Sequence, residues 1–252
     1  MRRPGPSAPH IPSASERSIV PLAPHQFWQT VYPEGTFETQ PADGFSDLYP
    51  ASLPDGRQIA LPIRILPGDG TSAVASMIVN QASFTVEDAL SDAMAVHARA
   101  YDPEVVIGVP TLGLPLANGV ARRLGHSRMV ALGTSRKFWY SEDLSEPMSS
   151  ITSPDHAKRL YLDPRMLPLL EGKRVLVVDD VISSGTSMLA VLKLLEKAGI
   201  EPVAAVFAML QGDNWRQAIG EHDAPLVSRI HGAIVSPRLR LGDDGDWWPS
   251  AS

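Results

Sequence analysis

The sequence predicts an α/β protein, a doubly wound and mainly parallel sheet carrying a small added subdomain. Two observations carry this reading. The run from Val175 to Val178 is apolar and largely β-branched, as in a strand buried on both faces. It passes through Asp179-Asp180 into Ser183-Ser184-Gly185-Thr186-Ser187 and a helix over 188–198 closed by Gly199. An earlier unit repeats the order of strand, loop and helix, with a strand from Glu104 to Val109, the loop Pro110-Thr111-Leu112-Gly113-Leu114 and a helix through Leu124. Composition agrees with one sizeable soluble core: of 252 residues, 44% are hydrophobic and 20% charged, and no apolar run is long enough to span a bilayer. A net charge of −6 speaks against non-specific nucleic-acid binding. The absence of cysteine removes both a disulfide framework and a thiolate nucleophile, which suits a reducing cytoplasm.

Taken in order, residues 1–18 are rich in proline, serine and alanine without periodicity and read as a flexible leader. Scattered aromatics follow, among them Phe27, Trp28, Tyr32 and Phe37, separated by Pro and Gly and expected to pack irregularly. Leu53-Pro54-Asp55-Gly56-Arg57 is a turn signal. An alternating strand from Arg57 to Leu66, the turn Pro67-Gly68-Asp69-Gly70 and a second run from Ala73 to Val79 suggest a hairpin. Thr85 is the expected N-cap of a helix reaching Arg99 or Ala100, with Asp88 at its third helical position. After the first core strand and helix, Met129 to Leu132 is a short strand leading to Arg136-Lys137-Phe138-Trp139-Tyr140. A polar segment including Ser149 to Ser153 then precedes the central strand. Beyond the central helix, Pro202 to Leu210 is the next strand, Leu226 to Val235 a last one, and 236–252 a tail bearing Trp247 and Trp248. The five histidines from His97 onward lack metal-ligand spacing.

The chemistry concentrates where the central strand ends. A helix N-terminus supplies unpaired N–H groups and a positive dipole end, Gly185 allows close backbone approach, and the hydroxyls of Ser183, Ser184, Thr186 and Ser187 add donors, so a phosphate fits there. Asp179 and Asp180 would repel an anion unless they face hydroxyls or a cation. A ribose 5-phosphate meets both demands, with its phosphate in the loop and its ring hydroxyls donating to the carboxylates. The competing reading is a buried strand ending in an acidic turn that caps a helix. A Walker loop is excluded, because no Gly-x-x-x-x-Gly-Lys occurs.

This apolar strand, Asp-Asp, two residues and Ser-Ser-Gly-Thr-Ser opening a helix resembles the phosphoribosyl pyrophosphate (PRPP) motif of the type I phosphoribosyltransferases, in pattern closest to the adenine and xanthine enzymes. The resemblance covers about residues 85–235 and implies a core over 85–235 with a small hood over 19–84 that stands above the sheet edge. It implies that Thr111, Leu112 and Gly113 form a pyrophosphate loop around an often cis peptide. Arg136-Lys137 matches an Arg-Lys step ahead of a mobile loop, and two cations at a strand end suit a leaving diphosphate; a solvated surface pair is the alternative. Asp179, Asp180, Arg136 and Lys137 are the candidate catalytic residues, with Lys158 and Arg159 as lesser candidates. Mg²⁺ is expected to enter bound to PRPP rather than in a dedicated protein cage. Phe207-Ala208 stands where xanthine enzymes carry Glu-Lys, so that specificity is not carried over. The implied activity is transfer of phosphoribose from PRPP to a nucleobase, of the purine class by pattern, in a cytoplasmic homodimer acting in nucleotide salvage without membrane or nucleic-acid partners. The alternative is a PRPP-binding regulatory protein that does no chemistry, although the amino-terminal eighty residues are neither basic nor helically periodic.

Overall fold

In the computed structural model, which describes residues 21–148 and 158–250, strands β1 (Val31–Tyr32), β2 (Leu48–Ser52), β3 (Gln58–Ile65) and β4 (Ser72–Ala75) precede helix α1 (Phe84–Arg99). The core then runs β5 (Val105–Gly108), α2 (Gly113–Arg123), β6 (Val130–Ala131), β7 (Ser145–Met148), β8 (Lys158–Tyr161), α3 (Leu167–Leu170), β9 (Val175–Ile182), α4 (Thr186–Lys197) and β10 (Pro202–Gln211). It ends with α5 (Asn214–Gly220), α6 (Ala224–Val227), β11 (Ile230–Ser236), β12 (Arg238–Leu241) and β13 (Trp247–Pro249). The expected leader over 1–18 and the segment Ser149–Ser153 lie outside the described residues.

The core sheet has five strands in the order β11-β10-β9-β5-β6, and each neighbouring pair is parallel. β9 is its centre, and the alternation of its side chains makes two cores. Leu176 and Val178 join Val106, Leu116 and Val206 on one face, while Val175 and Val177 join Ile107, Leu192, Leu195, Phe207 and Trp215 on the other. Each such aliphatic side chain contributes about 1.5–3 kcal/mol on burial, so the strand's register is strongly specified.

The amino-terminal strands form a separate antiparallel sheet in which β3 pairs with β1, β2 and β4, and β3 and β4 make the expected hairpin. The aromatics ahead of it, Phe27, Trp28 and Phe37, are buried in the same apolar cluster as Val106, Leu176 and Val206, so this sheet shares a core with the parallel one. The carboxy-terminal residues complete it. β12 pairs with β4, β13 pairs with β12, and Trp247 packs against Phe45, Ala73 and Leu239. The segment expected as a tail is thus two strands of the amino-terminal sheet, held by Trp247 as a docking residue.

Three local expectations are corrected. The cap of α1 is Ser83, whose Oγ accepts from Val86 N at 3.3 Å, and Thr85 lies inside the first turn. The last core strand begins at Ile230, because Asp223 accepts from Leu226 N at 3.0 Å and opens the short helix α6 where strand was expected. Finally β9 runs on through Asp179 and Asp180 to Ile182, since the long neighbour β10 keeps pairing: Phe207 stands opposite Asp179 and Leu210 opposite Ile182.

Candidate functional site

Read in chain order, the core strands lie 5-4-3-1-2 across the sheet, so the order reverses between β5 and β9. In open α/β sheets the crevice beyond the carboxyl ends of such a pair is where ligands bind. Here β5 exits through the Thr111-Leu112-Gly113 loop and β9 through Ser183 to Gly185, and the structure brings the first of these against Asp179 of β9 itself. A Cβ on Gly113 would stand 2.6 Å from Asp179 Oδ1, 2.8 Å from its Cα and 3.0 Å from Val178 O. Only glycine allows α2 to begin this close to the backbone of β9 at Val178 and Asp179. The peptide joining Pro110 to Thr111 is cis, as the resemblance implied for this loop. Thr111 is exposed, Leu112 half-buried and Gly113 buried.

The carboxylates face a poorly solvated environment. Asp179 is 8% exposed, and its Oδ1 accepts a hydrogen bond from Asp180 N at 2.8 Å. Burial first, and the neighbouring Asp180 charge second, hold the Asp179 carboxyl well above the usual carboxylate range; burial also raises Asp180. A hydroxyl donor or a cation placed against them would remove that penalty. Because a sugar hydroxyl is best accepted by the ionised form, binding should expel a proton and weaken as pH falls through the raised Asp179 pKa, above the ordinary value of about 4. Calorimetry of PRPP in two buffers of different ionisation enthalpy should show this release. Equal heats in both buffers at every pH at which the chain stays folded would contradict it.

A small pocket lies beside the pair, lined by Asp179, Ser183 to Met188 and Phe207. Its floor is the start of α4. Gly185 is the N-cap residue with φ +83° and makes no side-chain cap, Thr186 N is bound by Ser184 Oγ at 3.3 Å, and the first helical bond is Leu189 N to Gly185 O at 2.9 Å. The amides of Ser187 and Met188 therefore belong to the orphan donors of the helix start and suit an anion. Ser184 Oγ and Thr186 Oγ1 lie 2.9 Å apart and add hydroxyls to the same rim. Gly185 also answers to packing. Its missing Cβ would meet Ala218 Cβ at 3.2 Å and Trp215 Cα at 3.3 Å, so the glycine serves a left-handed turn packed on α5. Gly185→Ala should accordingly cost about 1–2 kcal/mol of stability, readable as a lower urea midpoint, and an unchanged midpoint would refute this packing role.

Arg136 and Lys137 follow β6 at the same carboxyl edge of the sheet, but the structure does not bring them against the aspartates. Arg136 Nη1 is paired with Glu142 Oε1 at 2.8 Å, and both side chains are more than half exposed. The segment is pinned elsewhere. Gly133 and Tyr161 exchange two backbone hydrogen bonds of 2.9 Å, tying it to β8. Trp139 Nε1 donates to Asp163 Oδ2 at 3.3 Å, and the Arg165 guanidinium lies over the Trp139 ring at 4.5 Å. Hydrogen bonding from Arg165 draws the Asp163 carboxyl down to about 2. Sequence reading missed Glu142 and Asp163, because neither sits in a motif and both matter only through partners brought near by the fold. In the amino-terminal sheet, the buried Ala75 O accepts from Gln211 Nε2 at 2.8 Å, joining the end of β10 to β4. Trp248 Nε1 turns to Asp244 at 3.2 Å, away from any stacking role shown by contact. Among the described residues no group of three or more His, Asp or Glu side chains is placed to hold a metal ion, and no helix is long and apolar enough to cross a membrane.

The phosphoribosyl transferase domain family matches residues 82–224. A transcriptional regulator, GfcR, of Halobacterium salinarum is 30% identical over 158 residues, covering 62% of this chain and 63% of the regulator. A hypoxanthine/guanine phosphoribosyltransferase of Methanosalsum zhilinae is 34% identical over 116 residues, 45% of this chain and 56% of that protein. Amidophosphoribosyltransferase 3 of Arabidopsis thaliana is 37% identical over 102 residues, 40% of this chain and 18% of the relative. The chain thus spans less than two thirds of the length of each of these three. Among solved structures, the adenine phosphoribosyltransferase of Giardia lamblia superposes with a TM-score of 0.52 at 19% identity, over 75% of this chain and 93% of that one. That of Thermoanaerobacter pseudethanolicus gives 0.54 at 17% identity, over 70% and 95%. These likenesses show a common fold.

Proposed function

We propose that this chain, which belongs to the phosphoribosyl transferase domain family, transfers 5-phosphoribose from PRPP to a nucleobase and releases pyrophosphate, with a purine as the acceptor class. One observation carries the proposal: at the point where strand order reverses, the buried Asp179 and its half-buried neighbour Asp180 stand between a helix start with free amides and a second exit loop that touches Asp179.

In this reading the 5-phosphate takes the amides of Ser187 and Met188 and the hydroxyls of Ser183, Ser184, Thr186 and Ser187. The ribose hydroxyls donate to Asp179 and Asp180, which orients the sugar and fixes C1 in line. The diphosphate extends toward the backbone of Thr111, Leu112 and Gly113, with Arg136 and Lys137 stabilising the charge it gains. The C1–O bond breaks with its electron pair leaving on pyrophosphate, through an oxocarbenium-like state. The acceptor ring nitrogen forms the C1–N bond from the opposite face, inverting C1, and sheds its proton. The two adjacent carboxylates fit Mg²⁺ held mainly through sugar oxygens and water, since they are hard oxygen donors too few for a cage of their own. Such an ion would neutralise part of the charge developing on the diphosphate.

A second reading, a PRPP-binding regulator without turnover, is favoured by one observation, the similarity to the Halobacterium regulator. Against it, residues 21–83 form strands and short turns, and no α-helix precedes α1 among the described residues, so a helical DNA-reading module has no place there. A panel of purine and pyrimidine bases, each assayed with PRPP and Mg²⁺ for pyrophosphate release, tests the proposal. Release with a purine supports it, and release with none while PRPP binds would favour the regulator.

A further inference from the structure

Glu142 is an anion seated between two cations. Its Oε1 lies 2.8 Å from Arg136 Nη1, and its Oε2 lies 4.0 Å from Arg159 Nε. Arg159 is held in place by Ser145, whose Oγ accepts from Arg159 Nη2 at 2.7 Å and Nε at 3.3 Å and donates to Glu142 O at 2.7 Å. The two arginines come from distant stretches, yet the backbone bonds between Gly133 and Tyr161 bring those stretches side by side. The far side of this unit is anchored to the phosphate helix, because Lys197 of α4 donates to Ser145 O at 2.7 Å and pairs with Glu146 at 2.7 Å. The scaffold is therefore rigid while the central ion pairs are exposed, with Arg136 at 58%, Glu142 at 52% and Arg159 at 37%. An exposed pair of this kind contributes little and is readily exchanged.

From this geometry we infer that Arg136 and Arg159 form a two-arginine clamp for the diphosphate end of the ligand, and that Glu142 is a resident carboxylate which the diphosphate displaces. The inference rests on the PRPP reading above and adds to it a second diphosphate-binding residue, Arg159, and a competitor, Glu142. A carboxylate carries one negative charge, whereas a diphosphate presents several, with oxygens spaced for two guanidinium forks at once. Exchange therefore favours the ligand when it is present and keeps the arginines paired when it is not. Glu142 sets the threshold by opposing entry.

The test is calorimetric titration of the full chain with inorganic pyrophosphate, PRPP and ribose 5-phosphate, in the unmodified protein and in Glu142→Gln, Arg159→Gln and the double variant. Glu142→Gln should tighten pyrophosphate and PRPP about two- to fivefold, the scale of one exposed ion pair. That gain should fade at high salt as screening grows. Arg159→Gln should weaken both ligands, shrink the gain from Glu142→Gln in the double variant, and be rescued in part by Arg159→Lys. Ribose 5-phosphate, which lacks a diphosphate, should bind alike throughout, and this shows that each variant is folded. Unchanged or weaker pyrophosphate binding in Glu142→Gln, or unchanged binding in Arg159→Gln, with ribose 5-phosphate still bound, would overturn the clamp and leave the PRPP reading standing. Failure of the unmodified protein to bind any of the three would overturn both.

Discussion

Replacing Asp179 and Asp180 together with asparagine is expected to abolish PRPP binding and, at the same time, to make the ligand-free protein harder to melt. The first effect follows from lost acceptors. Each hydrogen bond to an ionised group contributes about 1.5–3 kcal/mol, so two together amount to roughly 10²- to 10⁴-fold in affinity. The second follows from the cost of holding the pair charged. The folded-state pKa of Asp179 is raised by burial and by Asp180, so the folded chain favours the proton more than the unfolded chain does. Stability from this group is then present at low pH and is lost as pH rises through the raised value. Asparagine removes that loss and still offers Oδ1 to the Asp180-position amide, which Asp179 now satisfies at 2.8 Å. The melting temperature of the double variant should therefore exceed that of the unmodified protein at pH 8 by a few degrees, about 2–4 °C per kcal/mol for a chain of this size. The two curves should converge near pH 4. A folded double variant with undiminished PRPP affinity would remove the carboxylates from the site.

Lys137→Ala should lower kcat more than it raises KM for PRPP. Arg136 is already matched by Glu142, whereas no ion pair engages Lys137 among the described residues, and its side chain is exposed at the carboxyl edge of the sheet. A cation aimed at the departing diphosphate gains attraction as the C1–O bond breaks and charge moves onto the leaving group. Its removal is then felt in the transition state rather than in the ground state. Deleting one partner of a developing anion typically costs on the order of 2–4 kcal/mol, or roughly 30- to 10³-fold in kcat. Steady-state kinetics with a base that supports turnover will read the split. An effect confined to KM would make Lys137 a binding contact with no part in bond breaking.

Much of this site was legible in the sequence because its parts are local. An apolar run followed by Asp179-Asp180 and a glycine among small hydroxyl residues declares a parallel strand and a helix start within fourteen residues, and the β5 loop repeats the pattern. What escaped was set by distant partners. The extension of β9 through its carboxylates depends on β10 continuing opposite it, from Phe207 to Leu210. The placement of the last residues depends on β4 offering an edge to β12, which no periodicity in 236–252 announces. Glu142 and Asp163 acquire meaning only from Arg136, Arg159, Trp139 and Arg165 meeting them in space. Gly185 was singled out for the approach of a phosphate, whereas its contact with α5 is seen only once the helices pack.

Transfer of phosphoribose can be followed by phosphorus NMR of PRPP, Mg²⁺ and a purine base with a catalytic amount of the protein in one tube. The PRPP signals should decay into equal amounts of pyrophosphate and a nucleoside monophosphate, and the double aspartate variant should leave them unchanged. PRPP signals that broaden on binding yet persist with every base supplied would contradict transfer.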